Sequence, residues 1–134
     1  MKNEFSTITE LPNSNITETQ LRRAHQRYMF ASKYCNGGIV VELGCGGGQG
    51  LELLSERMDK VLGCDIDDSN LNSCMSTYKN HRKIVILKMD AEKLDFDDNS
   101  VNIIVCFETI YYLEDVNKFY LEANRILSKG GHLI

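Results

Sequence analysis

Five of the seven positions that follow Leu43 are glycine, in the stretch Glu42-Leu43-Gly44-Cys45-Gly46-Gly47-Gly48-Gln49-Gly50. Before it runs Ile39-Val40-Val41-Glu42-Leu43, short, β-branched and bounded by Gly37 and Gly38, as a fully buried strand should be. After it, Leu51, Leu54 and Met58 fall on one helical face. A strand, a glycine turn and a helix in that order let backbone approach a ligand, with free N–H groups at the helix start that favour electron-rich atoms. A side chain at Gly46 or Gly48 is expected to occupy ligand space. A merely flexible turn would cost chain entropy without a use.

The alternation continues along the 134 residues. Residues 1–16 are polar, contain the only proline, Pro12, and read as a flexible lead-in. Thr17-Glu18-Thr19-Gln20 has the spacing of a capping box, and Leu21, Ala24, Tyr28 and Ala31 then recur at helical intervals, which predicts a helix from about Thr17 to Tyr34. Val61 to Asp65 predicts a second strand, and Leu71, Cys74, Met75 and Tyr78 a second helical stripe after the glycine turn. Ile84 to Leu87 predicts a third strand, and a polar loop to Asn99 leads into a fourth from Val101 to Phe107. Val116, Phe119, Tyr120, Ala123 and Leu127 mark a last helix, which Gly130-Gly131 is expected to break before a fifth strand begins at His132. Strands alternating with helices predict an α/β, doubly wound, Rossmann-like parallel sheet covered on both faces. The expected strand order is 3-2-1-4-5, with a crevice at the carboxyl ends where the order reverses.

The composition, 43% hydrophobic and 25% charged, is that of one globular domain, here residues 17–134. A net charge of −4 gives no footprint for a nucleic-acid backbone. No apolar run reaches the ~20 residues a bilayer requires, and the polar start lacks a secretory apolar segment, so no membrane partner is expected and the cytoplasm is the default. Cys35, Cys45, Cys64, Cys74 and Cys106 show no C-x-x-C spacing and sit in apolar segments, where small buried thiols are the plain reading. His25, His81 and His132 are dispersed, so no metal site is expected.

Two nucleotide fingerprints fail on the glycine turn. G-x-G-x-x-G ends on Gln49, Leu51 or Leu53 according to register, and no Gly-Lys-Ser/Thr follows. What fits is acidic-x-Gly-x-Gly-x-Gly over Glu42, Gly44, Gly46 and Gly48. With it, Val41 to Gly48 resembles the first motif of class I S-adenosylmethionine-dependent methyltransferases, and further motifs of that family follow in order. Val61 to Asp67 resembles the second, whose acidic residue takes the ribose hydroxyls, here Asp65. Asp65 lies 21 residues after Gly44, close to the ~20 expected of a carboxylate reaching a ribose across the neighbouring strand. Lys88 to Leu94 resembles the third, in which Asp90 followed by Ala91 receives the adenine amino group while Ile66 lies on the adenine face. Val101 to Phe107 with Glu108 to Leu113 resembles the fourth. Ala123 to Gly131 is similar to the passage into strand five of small-molecule members, methyltransferase types 11 and 25.

The resemblance implies S-adenosylmethionine as methyl donor, held by Glu42, Gly44, Cys45, Gly46, Gly48, Asp65, Ile66, Asp90, Ala91 and Phe107. It places Glu108 and Tyr112 beside the reacting methyl as candidate catalytic residues. Many relatives carry histidine near Tyr112, and tyrosine, with an ordinary pKa of about 10, is a poor base at neutral pH. Packing or substrate contact is therefore the expected role of Tyr111 and Tyr112. The first helix is placed to cover the donor site with Arg27 or Tyr28 turned inward, although core packing for Tyr28 and solvent for Arg27 stay open. A single proline excludes the Asn/Asp-Pro-Pro-aromatic and Pro-Cys motifs of relatives that methylate nucleic-acid bases or glutamine. A small-molecule acceptor is left by elimination. The family's sheet continues into a sixth and a seventh strand, so the chain is expected to be the donor-binding portion of a longer protein, or to take those strands from a dimer mate or partner. A non-catalytic donor-binding subunit and a nicotinamide-dependent oxidoreductase remain as alternatives.

Overall fold

The computed structural model describes residues 17–134. The lead-in expected over residues 1–16 lies outside the described residues. Helix α1, Glu18–Ser32, opens with the anticipated capping box: Gln20 N donates to Thr17 Oγ1 at 3.3 Å, and Thr17 N donates to Gln20 Oε1 at 2.9 Å. Its apolar stripe is only half used. Ala31 is fully buried and Tyr28 packs against the core, but Leu21 is 52% exposed, because among the described residues α1 meets α2 and the core with its carboxyl-terminal half alone.

Strands β1 (Ile39–Leu43), β2 (Lys60–Asp65), β3 (Ile84–Lys88), β4 (Val101–Val105) and β5 (Leu127–Leu133) form one sheet in the order β3-β2-β1-β4-β5, with every pairing parallel. This is the expected topology, and the crossovers carry α2 (Leu51–Ser55), α3 (Asp68–Tyr78) and α4 (Val116–Ile126). Side chains alternate across β1: Val40 joins the core under α1, α2 and α3, and Val41 and Leu43 join the core under α4, with Phe119, Ala123 and Ile126. By the same parity Glu42 points toward the α1 side.

β3 is the sheet's edge and a loop without a helix leads from it to β4, as expected, and Val85 is 39% exposed. Three details depart from the sequence reading. β4 ends at Val105, two residues before the expected Phe107. α2 is one short turn, although Met58 beyond it is still buried. The last helix ends at Ile126, and β5 starts at once with Leu127 rather than at His132. Gly130 and Gly131 therefore do not stop a helix. They form an irregularity inside the strand, where Val101 pairs with Leu127 and Ile103 with His132. Gly130 has φ +79°, and a Cβ on Gly131 would lie 2.8 Å from the Asn102 carbonyl oxygen.

Candidate functional site

The carboxyl ends of β1, β2 and β4 open into a crevice of about 380 Å³, within the usual size range of small-molecule sites. Its floor is the glycine turn. Gly44 N and Cys45 N both donate to the Cys64 carbonyl, at 2.8 and 2.9 Å, and hook the turn onto the end of β2. Gly44 lies at φ +73°, and a Cβ there would sit 2.2 Å from Thr109 Oγ1, so glycine is required for both backbone and space. Gly44, Cys45 and Gly46 line the crevice. Gly48 is placed elsewhere: a Cβ on it would lie 2.7 Å from Cys74 Sγ, and its carbonyl accepts from the Tyr78 hydroxyl at 2.7 Å, so it serves the packing of α3 instead of making room for a ligand.

Asp65, at the end of β2, is 7% exposed and lines the crevice. Its Oδ2 accepts from Gly46 N at 2.8 Å and its Oδ1 from Asp67 N at 2.9 Å. Each oxygen keeps a second lone pair, and the Asn70 Nδ2 contact at 3.4 Å is at the weak limit of a hydrogen bond. A carboxylate fixed in this way is prepared to accept from two neighbouring hydroxyls. Beside it stand half-exposed Ile66, Met89, Asp90 and the buried Ala91. Asp90 Oδ1 accepts from Glu92 N at 2.8 Å, which tightens the turn that presents it. Hydrogen bonding to Cys74 and then burial push the Cys45 thiol far above the ordinary range, so it is no nucleophile.

Over the turn lies α1. Arg27 and Tyr28 both line the crevice, and Tyr28 packs against the core as well, so the two roles left open for that tyrosine coincide. The Tyr28 ring meets Phe107 edge-on at 5.4 Å, and its hydroxyl donates to Glu42 Oε1. Glu42 is 1% exposed and sits behind this ring, not on the crevice wall. Its Oε2 has no hydrogen-bond partner among the described residues. Burial, with the Asp65 charge adding to it, pushes the Glu42 carboxyl up to about 8, while the Tyr28 hydrogen bond and Arg27 oppose the rise.

This has a consequence for stability. The unfolded chain loses the Glu42 proton near ~4.3, whereas the folded chain holds it to about 8, so between those values the folded state binds more protons and stability falls as pH rises. Between about pH 5 and pH 8.5 the wild type should lose on the order of 2–4 kcal/mol more than Glu42→Gln, which keeps the shape without the charge. Urea unfolding of both proteins at the two pH values checks this, and parallel behaviour would refute it.

Glu108 and Tyr112 also line the crevice. Glu108 has φ +53°, a left-handed conformation that costs a non-glycine residue roughly 1–3 kcal/mol and clusters at functional sites. Its Oε2 accepts from the Tyr111 hydroxyl at 2.5 Å, and its Oε1 lies 3.7 Å from Arg27 Nη1. The hydrogen bond to Glu108 drives the Tyr111 hydroxyl well above its ordinary pKa, so this tyrosine keeps its proton. Tyr112 closes a 3₁₀ turn, Ile110–Tyr112, with its ring 4.6 Å from that of Tyr111. Thr109, Leu113, Gln49, Gln20 and Arg23 complete the wall and were not singled out from the sequence. Gln20, Arg23 and Arg27 share helical spacing, a polar stripe beside Tyr28 that was legible once α1 was placed over the site.

The model of the methyltransferase domain family matches residues 41–134, and the chain belongs to that family. Among curated relatives, a Mycolicibacterium smegmatis protein named "Probable S-adenosylmethionine-dependent methyltransferase" is 31% identical over 110 residues, 82% of this chain and 42% of that protein. The chain thus spans less than half the length of that relative. Phosphoethanolamine N-methyltransferase 1 of Haemonchus contortus, solved with phosphoethanolamine and S-adenosylhomocysteine, superposes with a TM-score of 0.76 at 27% identity, over 87% of this chain and 26% of that one. The PH0226 protein of Pyrococcus horikoshii, 24% identical, shares the fold with a TM-score of 0.77 over 90% of this chain and 59% of that one. None of these relatives favours a nicotinamide-dependent reading.

Proposed function

We propose that this chain is the donor-binding part of an S-adenosylmethionine-dependent methyltransferase that acts on a small molecule. One observation carries the reading: the Asp65 carboxylate, pinned to the glycine turn through Gly46 N–H, faces a crevice at the carboxyl ends of a parallel sheet. The residues present fit the donor. Asp65 has lone pairs left for two ribose hydroxyls, Ile66, Met89 and Ala91 offer apolar contact to a flat base, and Asp90 offers an acceptor for an exocyclic amine. Gly44 and Gly46 bring bare backbone to the crevice wall. When bound, the donor would supply an electrophilic methyl on a sulfonium, with the neutral thioether as the leaving group.

The protein's part is to orient and to exclude water. α1 covers the turn, and Phe107, Tyr111 and Tyr112 shape the wall beyond it. Glu108, held on one oxygen by Tyr111 and faced on the other by Arg27, orients the acceptor end. Tyr111 retains its proton and abstracts none. A small-molecule acceptor is supported by the single proline, which leaves no place for the proline-bearing motifs of relatives that methylate nucleic-acid bases or glutamine. Free cysteines, four of them buried, agree with a reducing, cytoplasmic location. No helix among the described residues is long and apolar enough to cross a membrane.

Isothermal titration of S-adenosylhomocysteine into the chain tests the reading. Saturable 1:1 binding is expected, with no heat from nicotinamide dinucleotide. Preference for the dinucleotide would replace the reading with the oxidoreductase.

A further inference from the structure

We propose that Tyr28 and Glu42 couple occupation of the crevice by a cationic donor to the release of one proton, with Glu42 a neutral acid in the ligand-free protein and a carboxylate once a positive charge lies beside it. The inference rests on the reading of the crevice as a sulfonium-donor site.

Glu42 occupies the central strand, flanked by Gly63 on β2 and Val105 on β4, so neither neighbour in the sheet offers it a polar side chain. One oxygen accepts from Tyr28 and the other has no partner among the described residues. A buried carboxylate needs donors on both oxygens, whereas a neutral acid needs a donor only on its carbonyl oxygen, which Tyr28 supplies; its own O–H is then the one group left without a partner among the described residues, a smaller cost than an unpaired charge. The groups around it agree. From α1 come Tyr28 and Arg27, the latter also facing Glu108 at 3.7 Å. From β2 come Asp65, whose charge resists a second negative charge nearby, and Cys64. Cys45 after β1 is pushed up first by its hydrogen bond to Cys74, and Cys106 after β4 and Tyr78 on α3 first by burial, with the Glu42 charge adding to each, so none supplies an opposite charge.

Tyr28 is the positioning residue of this pair. Its ring lines the crevice, so Glu42 stands one side chain away from whatever fills that space. Gly50 fixes the ring: its backbone φ of −97° is ordinary, yet a Cβ there would lie 1.9 Å from Tyr28 Cε1. The fifth glycine of the turn therefore makes room for Tyr28, a role separate from the ligand-facing positions.

A donor bearing a sulfonium and an ammonium, offset in part by its own carboxylate, carries a net positive charge that would lower the Glu42 pKa from about 8. The O–H bond of Glu42 breaks, the electron pair stays on the carboxylate, and the proton passes to buffer.

Titration of S-adenosylmethionine and of S-adenosylhomocysteine at about pH 7, in buffers of differing ionisation heat, counts protons as the slope of observed enthalpy against buffer enthalpy. For wild type the expected slope is close to one proton released with S-adenosylmethionine and less with the uncharged thioether. Affinity should rise close to tenfold from about pH 6.5 to 7.5 and level off above about 8. Glu42→Gln should remove the slope and flatten the affinity profile. Tyr28→Phe and Gly50→Ala, which remove a hydrogen bond that lowers the Glu42 pKa, should move the rise to higher pH, a change that loss of packing alone would not produce. Binding without buffer dependence, or an unchanged slope in Glu42→Gln, overturns the coupling and leaves the donor site standing. No binding of either ligand by the folded chain overturns both.

Discussion

Asp65→Ala is expected to weaken S-adenosylhomocysteine binding by at least about a hundredfold. Two effects add. A carboxylate accepting from two hydroxyls makes charge-assisted hydrogen bonds worth roughly 1.5–3 kcal/mol each, so losing both alone approaches or exceeds that factor. The side chain also anchors the turn, and its removal leaves the Gly46 N–H without the acceptor it has at 2.8 Å. An unpaired buried donor costs about 1–3 kcal/mol, which the turn can escape only by shifting away from its binding position. Asp65→Asn separates the two effects. Its one remaining oxygen can serve Gly46 N–H or Asp67 N–H but not both, because the amide group would set donor against donor at the other. A loss between that of wild type and alanine is expected by titration calorimetry, with thermal unfolding to show that each variant is folded. Binding by Asp65→Ala within about threefold of wild type would move the donor site away from this crevice.

Asp65 was legible in the sequence because its information is local: a buried strand, a carboxylate at its end, and a fixed spacing from the glycine turn. The strand order was legible for a similar reason, since short β-branched runs alternating with helical stripes leave few ways to bury both faces of a sheet. The places where the reading missed are those decided by what arrives from elsewhere in the chain. Gly48 was expected to leave ligand space, but Tyr78 and Cys74 from α3 fill it, and Gly50, for which no ligand role was expected, faces Tyr28 from α1. Leu21 fits the apolar stripe of α1, yet among the described residues only the carboxyl-terminal half of that stripe meets the core, and Leu21 stays exposed. Gly130-Gly131 resembles a helix stop, but Ser100 N and Asn99 N already take the carbonyls of Ile126 and Arg125. Arg125 in turn holds the carbonyls of Leu94 and Phe96, which fixes where the chain enters the sheet. Glu42 is the clearest case. One residue letter identifies an acid, whereas its protonation depends on burial and on a hydroxyl fourteen positions earlier.

Gly44→Ala should cost about 2–5 kcal/mol of stability. A left-handed backbone costs an L-residue roughly 1–2 kcal/mol, and forcing a methyl into occupied space typically costs a further 1–3. At Gly44 both apply, since φ is +73° and the added Cβ would lie 2.2 Å from Thr109 Oγ1 and 2.7 Å from Thr109 Cγ2. For a chain of this size a lowering of Tm of roughly 10 °C follows, readable by calorimetry. Thr109→Ala in the same chain removes the two worst clashes and leaves the Thr109 Cβ, still tight at 2.9 Å. It should recover most of the steric share of the loss but none of the backbone share, and a double-mutant cycle reports the difference as a coupling of about 1–2 kcal/mol. Simple additivity would mean that Thr109 is not what the turn presses on. The same contact links stability to the site. Thr109 follows the strained Glu108 and starts the turn that carries Tyr111 and Tyr112, so a methyl on Gly44 that pushes Thr109 outward moves the acceptor wall of the crevice as well as its floor. Ligand affinity in Gly44→Ala should therefore fall even at temperatures where the variant is fully folded, and Thr109→Ala should restore part of it.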